Sequence, residues 1–198
     1  MYKAILFDLG GVLFTNGTTK FIESVSSRYS LPKQQVKEVI DGRIGTLYRE
    51  TKISRNEFWE SVKRNLNLKE TADQLEKEWI DAYELISETK QIIQHLSRQY
   101  SLYYLSDNVK ERVNSLNAKF NFIQLFKGGI FSHEVGVRKP NPLIYEYAIK
   151  KAGCNSNEII FIDDKPSALL PADKMGITTI FFQSSQQLKE SLVKLGVY

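Results

Sequence analysis

The sequence has almost no cysteine and no long apolar run, and these two absences exclude several classes of protein. Its single cysteine, Cys154, cannot form an internal disulfide, which agrees with a reducing compartment. No run approaches the roughly 20 apolar residues that are needed to cross a bilayer. The apolar start of the chain is interrupted by Asp8, and no small-residue cleavage site of a signal peptide follows it. We therefore expect a soluble, cytoplasmic protein with no membrane partner.

Internal repeats, low-complexity segments and Pro/Gly/Ser-rich linkers are also missing. The charge is mixed, with 27 basic and 23 acidic residues and a net charge of +4. The basic residues are scattered and are not gathered into a stripe with interleaved aromatics, so we expect no nucleic-acid partner. The small positive excess would assist capture of anions such as phosphate esters. With 198 residues, 42% of them hydrophobic, the chain fits one domain with a modest insertion.

The most informative stretch lies near the start of the chain. Ala4 to Phe7 is a continuous apolar run, which is typical of a central strand buried on both faces of a parallel sheet. The run ends at Asp8, and Gly10 and Gly11 follow, so the backbone there can turn sharply and approach a ligand closely. Such a strand end is where open α/β sheets bind ligands. On this stretch alone, Asp8 is either a ligand-binding carboxylate or an acid that merely starts a turn.

The rest of the chain divides into a helical part and an alternating part. From residue 16 to residue 86 the apolar residues recur at helical spacing, and Ser54 to Glu57 forms a capping box. From residue 87 onward, helical patterns alternate with short apolar runs, which predicts a parallel sheet with right-handed crossovers. Pro171 is expected to disturb the helix predicted over residues 167–175 or to delay its start. The five strands are predicted near Ala4, Leu102, Ile130, Ile159 and Thr178.

We therefore predict an α/β fold in which helices flank a five-stranded parallel sheet. Residues 1–15 and 87–198 form its core, and residues 16–86 form a small all-helical cap inserted after the first strand. Because that insertion starts just past Asp8, it must lie over the carboxyl edge of the sheet. Arg43 and Arg49 in the cap are within possible reach of an anionic substrate, but solvation is the expected state of exposed arginines.

Polar residues follow three of the predicted strands. Asp8 follows the first strand, Ser106 and Asp107 the second, and Asp163 and Asp164 the fourth. The carboxyl ends of parallel strands lie on one edge, so these side chains converge. Carboxylates there can hold Mg²⁺, which often shares its ligands with a substrate phosphate. Lys139 precedes a predicted helix start, and its ammonium and a hydroxyl would take the remaining phosphate oxygens.

These features resemble the haloacid dehalogenase-like (HAD) hydrolase superfamily over essentially the whole chain. The resemblance implies a Rossmann-like core, a small helical cap and, usually, Mg²⁺-dependent phosphatase activity through an aspartyl-phosphate. Within the superfamily the chain looks closest to the glucose-1-phosphatase-like proteins and the N-terminal phosphatase domain of epoxide hydrolases. The motifs that carry the resemblance are Phe7-Asp8-Leu9-Gly10-Gly11-Val12-Leu13, Leu105-Ser106, Lys139-Pro140 and Phe161-Ile162-Asp163-Asp164.

The resemblance also implies a role for each matching residue. Asp8 would be the nucleophile and a metal ligand, Ser106 would bind the transferring phosphoryl group, and Lys139 would offset its charge. Asp164 and the backbone carbonyl of Gly10 would complete the metal site, with Asp163 as an outer partner that does not bind the metal directly. The expected substrate contacts are Gly11, Ser106, Asp107 and Lys139.

Two positions depart from the family pattern. Most phosphatases of the family have a second Asp where this chain has Gly10, and that Asp transfers a proton to the leaving group. Glycine cannot do so, and general acid-base catalysis is worth roughly 10²- to 10⁴-fold. We therefore expect leaving groups that need little help, or a proton from another residue or water. The second departure is Asp107, where relatives often have Asn; a carboxylate there would repel phosphate unless it turned away or were protonated, and Asn108 is a possible substitute.

Two other functions compete with a phosphatase of a small phosphorylated metabolite. A dehalogenase would use the same Asp8 to attack carbon without a metal, but paired Asp163 and Asp164 and the absence of that group's first motif argue against it. A binding or regulatory protein on a degenerate scaffold is suggested by Gly10, and retention of Asp8, Ser106, Lys139 and Asp164 argues against it. Neither the substrate's identity nor the oligomeric state is predicted.

Overall fold

The computed structural model describes all 198 residues and contains one five-stranded parallel sheet. Its order is β3-β2-β1-β4-β5, so β1 is central and pairs with β2 on one side and β4 on the other. This confirms the predicted α/β fold and all five strand positions. The strands are β1 (Ala4–Phe7), β2 (Ser101–Ser106), β3 (Gly128–Phe131), β4 (Ile159–Asp163) and β5 (Thr178–Phe181).

Six helices follow β1 before the chain returns to the sheet at β2, and five more follow the later strands. Short 3₁₀ helices span Ile123–Leu125 and Ser156–Glu158. None of the helices is long and apolar enough to cross a membrane. The first five are α1 (Gly17–Tyr29), α2 (Lys33–Asp41), α3 (Arg43–Arg49), α4 (Arg55–Leu66) and α5 (Ala72–Asp81). The others are α6 (Ser87–Leu96), α7 (Lys110–Phe120), α8 (Ser132–Val135), α9 (Pro142–Ala152), α10 (Pro166–Lys174) and α11 (Ser185–Lys194).

Two of these helices test local predictions. The Ser54–Glu57 capping box is present at the start of α4, where the two side chains satisfy amide donors reciprocally. The expectation for Pro171 was wrong, because α10 begins at Pro166, earlier than predicted, and runs through Pro171. Pro166 occupies the first helical position, where the backbone amide has no partner within the helix, so a proline there loses no hydrogen bond. Ala168 and Ala172 are buried against the sheet, and this packing stabilises the short helix although Pro171 lies inside it.

The strand β1 is buried on both faces, as its unbroken apolar run predicts. Ile5 and Phe7 belong to a large apolar cluster that also contains side chains of α1 to α7, whereas Ala4 and Leu6 belong to a smaller cluster under α9 and α10. Alternate residues of a strand point to opposite faces, which explains this division. Central placement of β1 therefore fixes where Asp8, the next residue, emerges.

The helical insertion between β1 and α6 is joined to the sheet by two adjacent connections. The amide of Thr15 donates to Glu84 O at 2.8 Å, and the amide of Ile86 donates to Leu13 O at 2.8 Å. A contact between side chains also links the two parts, because the Arg112 guanidinium of α7 lies 3.8 Å from the centre of the Trp79 ring in α5. Both residues are buried.

Candidate active site

Four side chains from separate parts of the chain meet at the carboxyl edge of the sheet. Asp8 follows β1, Ser106 ends β2, and Asp163 ends β4, while Lys139 comes from the loop between α8 and α9. All four are buried, with exposed fractions between 0% and 6%. The carboxyl ends of parallel strands lie at one edge of the sheet, so residues that are far apart in the sequence come close together there.

Three carboxylates form a compact cluster. One oxygen from each of Asp8, Asp163 and Asp164 lies within 4.8 Å of the others. Oδ1 of Asp164 is buried and accepts no hydrogen bond, which is unusual for a buried oxygen. Burial and the neighbouring Asp8 carboxylate both raise the pKa of Asp164 above its ordinary value. An unpaired oxygen among clustered carboxylates fits a divalent cation such as Mg²⁺, which prefers oxygen ligands.

The two neighbouring aspartates have different surroundings. Asp163 uses both oxygens, since Oδ2 lies 2.6 Å from Lys139 Nζ and Oδ1 accepts the backbone amide of Lys165 at 2.8 Å. Burial raises the pKa of Asp163, although the Lys139 ammonium opposes that effect. No side chain donates a hydrogen bond to Asp164, and its Oδ1 has no partner. Asp164 is therefore the better placed of the two to bind a cation directly.

Lys139 neutralises the cluster from inside the protein. Its Nζ lies 3.0 Å from Asp8 Oδ1 and 2.6 Å from Asp163 Oδ2, and it donates to Leu105 O at 3.0 Å. Burial alone would lower the pKa of this lysine, but the surrounding carboxylates raise it well above its ordinary value. The side chain is therefore a fixed positive charge beside the Asp8 carboxylate.

The two glycines after Asp8 have distinct environments. Gly11 has φ of +89°, and a Cβ built there would lie 2.2 Å from Asp164 Oδ2, so only glycine fits against that carboxylate. Gly10 is less confined, since the nearest atom to its built Cβ is Cε1 of Tyr83 at 3.8 Å. The carbonyl of Gly10 accepts no hydrogen bond within the chain and is free for a ligand.

Asp107 does not point freely toward a bound phosphate. Its Oδ2 accepts from Arg138 Nε at 3.1 Å and its Oδ1 accepts the backbone amide of Lys139 at 3.0 Å. The carboxylate thus holds the loop that carries Lys139. Asn108 is also engaged, because its Oδ1 accepts the amide of Val109 at 3.0 Å. The hydroxyl of Ser106, in contrast, makes no hydrogen bond within the chain, and Ser106 lines a cavity beside the sheet edge.

A cavity of about 570 Å³ separates this sheet edge from the helical insertion. Its floor includes Asp8, Gly10, Ser106 and Lys139, and its other wall comes from α1 and α2. The volume is within the range of small-molecule sites. Tyr83, beside Gly10, closes one side and its hydroxyl lies 3.0 Å from Thr18 Oγ1.

The sequence-based interpretation missed a group of ionic residues in this cavity. The expectation that Arg49 is solvated was wrong, since it is 4% exposed and lines the cavity. Its guanidinium lies 3.2 Å from Asp41, and burial lowers its pKa to about 10. Arg138 lies 3.9 Å from the same Asp41 oxygen. Arg138 directly precedes the Lys139-Pro140 motif, whereas no local pattern marks a contact between α2, α3 and that loop.

The family of the chain follows from comparison with known proteins. The model of the haloacid dehalogenase-like hydrolase family matches residues 5–182. This chain belongs to that family. The predicted HAD resemblance is thereby confirmed, and the residues brought together at the sheet edge lie within the matched region.

Among curated proteins, three relatives illustrate the range of likeness. An uncharacterised protein of Dictyostelium discoideum is 28% identical over 154 residues, which cover 75% of this chain and 66% of that protein. Mouse bifunctional epoxide hydrolase 2 is 32% identical over 89 residues, 45% of this chain and only 15% of that protein. A sesquiterpene phosphatase of Aspergillus oryzae is 24% identical over 187 residues, 93% of this chain and 91% of that protein. The chain thus spans under two thirds of the length of the first two relatives, and no subgroup within the HAD family is singled out.

Solved structures of HAD proteins share the fold over nearly the full length. A HAD family enzyme of Bacteroides thetaiotaomicron, crystallised with magnesium and inorganic phosphate, has a TM-score of 0.75 at 22% identity, covering 92% of this chain and 95% of that one. A predicted HAD-like hydrolase of Porphyromonas gingivalis has a TM-score of 0.79 at 22% identity, covering 98% of each chain.

Proposed function

We propose that this HAD hydrolase is a Mg²⁺-dependent phosphatase that acts on a small phosphoester through Asp8. The observation that carries the proposal is the cluster of Asp8, Asp163 and Asp164 beside Lys139, with an unpaired oxygen on Asp164. Asp8, Asp164 and the Gly10 carbonyl would hold the cation, and Asp163 would orient Lys139. Magnesium bound there would neutralise charge on the phosphoryl oxygens.

The reaction would proceed in two displacements at phosphorus. A carboxylate oxygen of Asp8 attacks phosphorus, and the bond from phosphorus to the leaving oxygen breaks with its electron pair. Water then attacks the aspartyl-phosphate, the bond from phosphorus to the Asp8 oxygen breaks, and inorganic phosphate leaves. Ser106 and the backbone around Gly11 would bind the phosphoryl group. Lys139 would offset its charge.

Gly10 sets the expected preference among esters. No carboxylate at position 10 can protonate the leaving oxygen, so that oxygen must leave unprotonated or take a proton from water. Esters with leaving groups of low pKa, such as acyl phosphates and anomeric sugar phosphates, should therefore react fastest. We also propose that residues 16–86 act as a cap, because α1 and α2 supply the wall of the cavity opposite Asp8.

A panel of esters with and without Mg²⁺ tests the proposal. We expect acetyl phosphate and p-nitrophenyl phosphate to be hydrolysed faster than glycerol phosphate, and all hydrolysis to need Mg²⁺. Asp8→Asn should abolish activity, whereas Asp173→Asn, an exposed residue of α10, should not. Activity that survives Asp8→Asn, or that is indifferent to chelation, would overturn the proposed mechanism.

The glycine at position 10 also supports a second candidate, a protein that binds phosphoesters and hydrolyses them weakly or not at all. The two functions differ in one measurement. If Mg²⁺-dependent binding of phosphate esters is found by calorimetry but no member of the panel turns over, the binding role replaces the enzymatic one.

A further inference from the structure

The cavity above Asp8 is markedly basic. Six basic side chains line it against three acidic ones, Asp8, Asp41 and Asp107. Only five of its 21 lining residues are apolar. The basic side chains are Lys33, Lys37, Arg49, Arg138, Lys139 and Lys165. A cleft in which positive charge predominates concentrates anionic ligands.

Most of these cations already have a carboxylate partner within the protein. Lys139 pairs with Asp8 and Asp163, and Arg138 pairs with Asp107. Arg49 pairs with Asp41, and Lys33 lies 2.7 Å from Glu23. Lys37 and Lys165 are the exceptions, since neither ammonium forms an ion pair within the chain. Two positive charges without an ion-pair partner therefore remain, and the charge of Lys165 also favours the ionised form of the neighbouring Asp164, against the burial that raises the pKa of Asp164.

Lys37 and Lys165 line the cavity from two different parts of the chain. Lys37 lies on α2 in the insertion, one turn from Lys33 and on the polar side of the helix, whose buried residues are Val36 and Ile40. Lys165 follows Asp164 in the sheet domain. A second cavity of about 620 Å³ adjoins the first, and both lysines line both cavities. A substrate held at Asp8 would therefore share its cavity with both ammonium groups.

We propose that the substrate carries a second anionic group, a carboxylate or another phosphate, which Lys37 and Lys165 bind. This inference rests on the proposed phosphatase function and narrows its substrate to small hydrophilic phosphoesters. The few apolar lining residues disfavour a terpenyl or acyl chain, although one relative is a sesquiterpene phosphatase. The ion pairs of Arg49 with Asp41 and of Arg138 with Asp107 hold these lining residues in place.

Matched esters that differ only in the second charge test this substrate class. Phosphoglycolate and ethylene glycol monophosphate form the carboxylate pair, and fructose bisphosphate and fructose monophosphate form the phosphate pair. We expect kcat/KM about tenfold higher for the more acidic member of at least one pair, a difference that shrinks as salt rises because exposed charges are screened. Geranyl phosphate should be the poorest ester tested.

Charge-removing variants link the preference to the two lysines. Lys37→Gln and Lys165→Gln should each raise KM for the preferred ester several-fold with kcat nearly unchanged, and the double variant should erase the preference. Lys194→Gln, an exposed residue of α11 outside both cavities, removes the same charge and should leave the preference intact. A preference that persists in the double variant, or none in the native chain, would overturn the proposal.

Binding measurements separate failure of this inference from failure of the phosphatase proposal. Asp8→Asn protein titrated calorimetrically with phosphoglycolate and with ethylene glycol monophosphate reports recognition without turnover. Tighter binding of phosphoglycolate that is lost in the Lys37→Gln and Lys165→Gln background supports the anion subsite even if no ester is hydrolysed. Equal binding of both esters contradicts the subsite even if hydrolysis is found.

Discussion

Lys139 Nζ lies 2.6 Å from Asp163 Oδ2, and both side chains are buried, with exposed fractions of 6% and 0%. The same ammonium also lies 3.0 Å from Asp8. One cation thus serves both the carboxylate proposed to attack phosphorus and the carboxylate beside the proposed metal ligand. Because both side chains are buried away from water, removal of either one would leave the other as an unpaired buried charge.

Lys139→Met should therefore reduce stability as well as activity. Removing one partner of a buried ion pair typically costs about 3–5 kcal/mol, which urea unfolding in the presence of a chelator would measure. Adding Asp163→Asn should restore part of that loss, because the partner's charge is removed as well. If the two single losses simply added in the double variant, the coupling between the side chains would be refuted.

Gly11→Ala should weaken Mg²⁺ binding. The new Cβ would meet Asp164 Oδ2 at 2.2 Å, so the carboxylate must move from its place in the cluster. Isothermal titration with Mg²⁺ should show at least a tenfold loss of affinity. Gly153→Ala is the matched control, since Gly153 also has positive φ, +68°, but nothing lies within 4 Å of its built Cβ. Equal effects in the two variants would mean that backbone strain, and not the displaced carboxylate, is responsible.

Gly10→Asp should increase hydrolysis of esters with poor leaving groups. Its Cβ meets Tyr83 at ordinary contact distance, 3.8 Å, so the backbone need not move. A general acid at this position would accelerate glycerol phosphate hydrolysis by up to about 10²-fold, the lower end of the usual contribution, and acetyl phosphate hydrolysis much less. The slope of log kcat against leaving-group pKa should flatten.

Gly10→Asn provides the comparison for that variant, because it has nearly the same shape and cannot transfer a proton at neutral pH. It should retain the steep slope of the native chain. A gain of the same size in the Asn variant would show that side-chain volume near Tyr83, and not proton transfer, controls the rate.

Glu70 should contribute to acid sensitivity. Burial favours its neutral form, but hydrogen bonds from Tyr29 and Arg28 outweigh that effect and lower the pKa of Glu70 from 4.5 to about 2. A carboxyl group whose pKa is lowered in the folded state stabilises the fold at pH values above its ordinary pKa. That contribution disappears as the pH falls toward 2. Glu70→Gln should thus lower stability by less than about 1 kcal/mol at pH 7, the range of exposed ion pairs.

The free energy of unfolding of the Glu70→Gln variant should match that of the native chain near the lowest pH at which both remain folded. Urea midpoints measured across the acidic range would show the two curves converging. Glu60→Gln controls for loss of a charge alone, since Glu60 is exposed and forms no ion pair. Parallel curves for the native and Glu70→Gln chains would contradict the assigned role of Glu70.

The sequence was sufficient to predict the fold and the strand-end residues, for a physical reason. A buried apolar run predicts a central strand, and the ends of parallel strands must share one edge, so Asp8, Ser106 and Asp163 could be placed together without a structure. Lys139 was added because it precedes a predicted helix start, and the family resemblance implied a role for it. Their chemical roles remain predictions, because proximity alone does not establish them.

Contacts between elements from different parts of the fold could not be predicted in this way. Arg49 was expected in solvent because its own helix gives no reason to bury it; its burial depends on how α3 packs against α2 and the loop carrying Arg138. Asp107 was uncertain for the same reason, since its partners come from residues 138 and 139. Both cases depend on the relative placement of the insertion and the sheet.

The contact between Arg112 and Trp79 allows the placement of the insertion relative to the sheet to be followed by fluorescence. The chain has only two tryptophans, Trp59 and Trp79, and both lie in the insertion, whereas Arg112 belongs to the part that carries the sheet. A guanidinium 3.8 Å from an indole ring perturbs its fluorescence, so any motion that separates α5 from α7 would alter the emission of Trp79. Stopped-flow fluorescence without an added label would therefore report any motion of the insertion relative to the sheet.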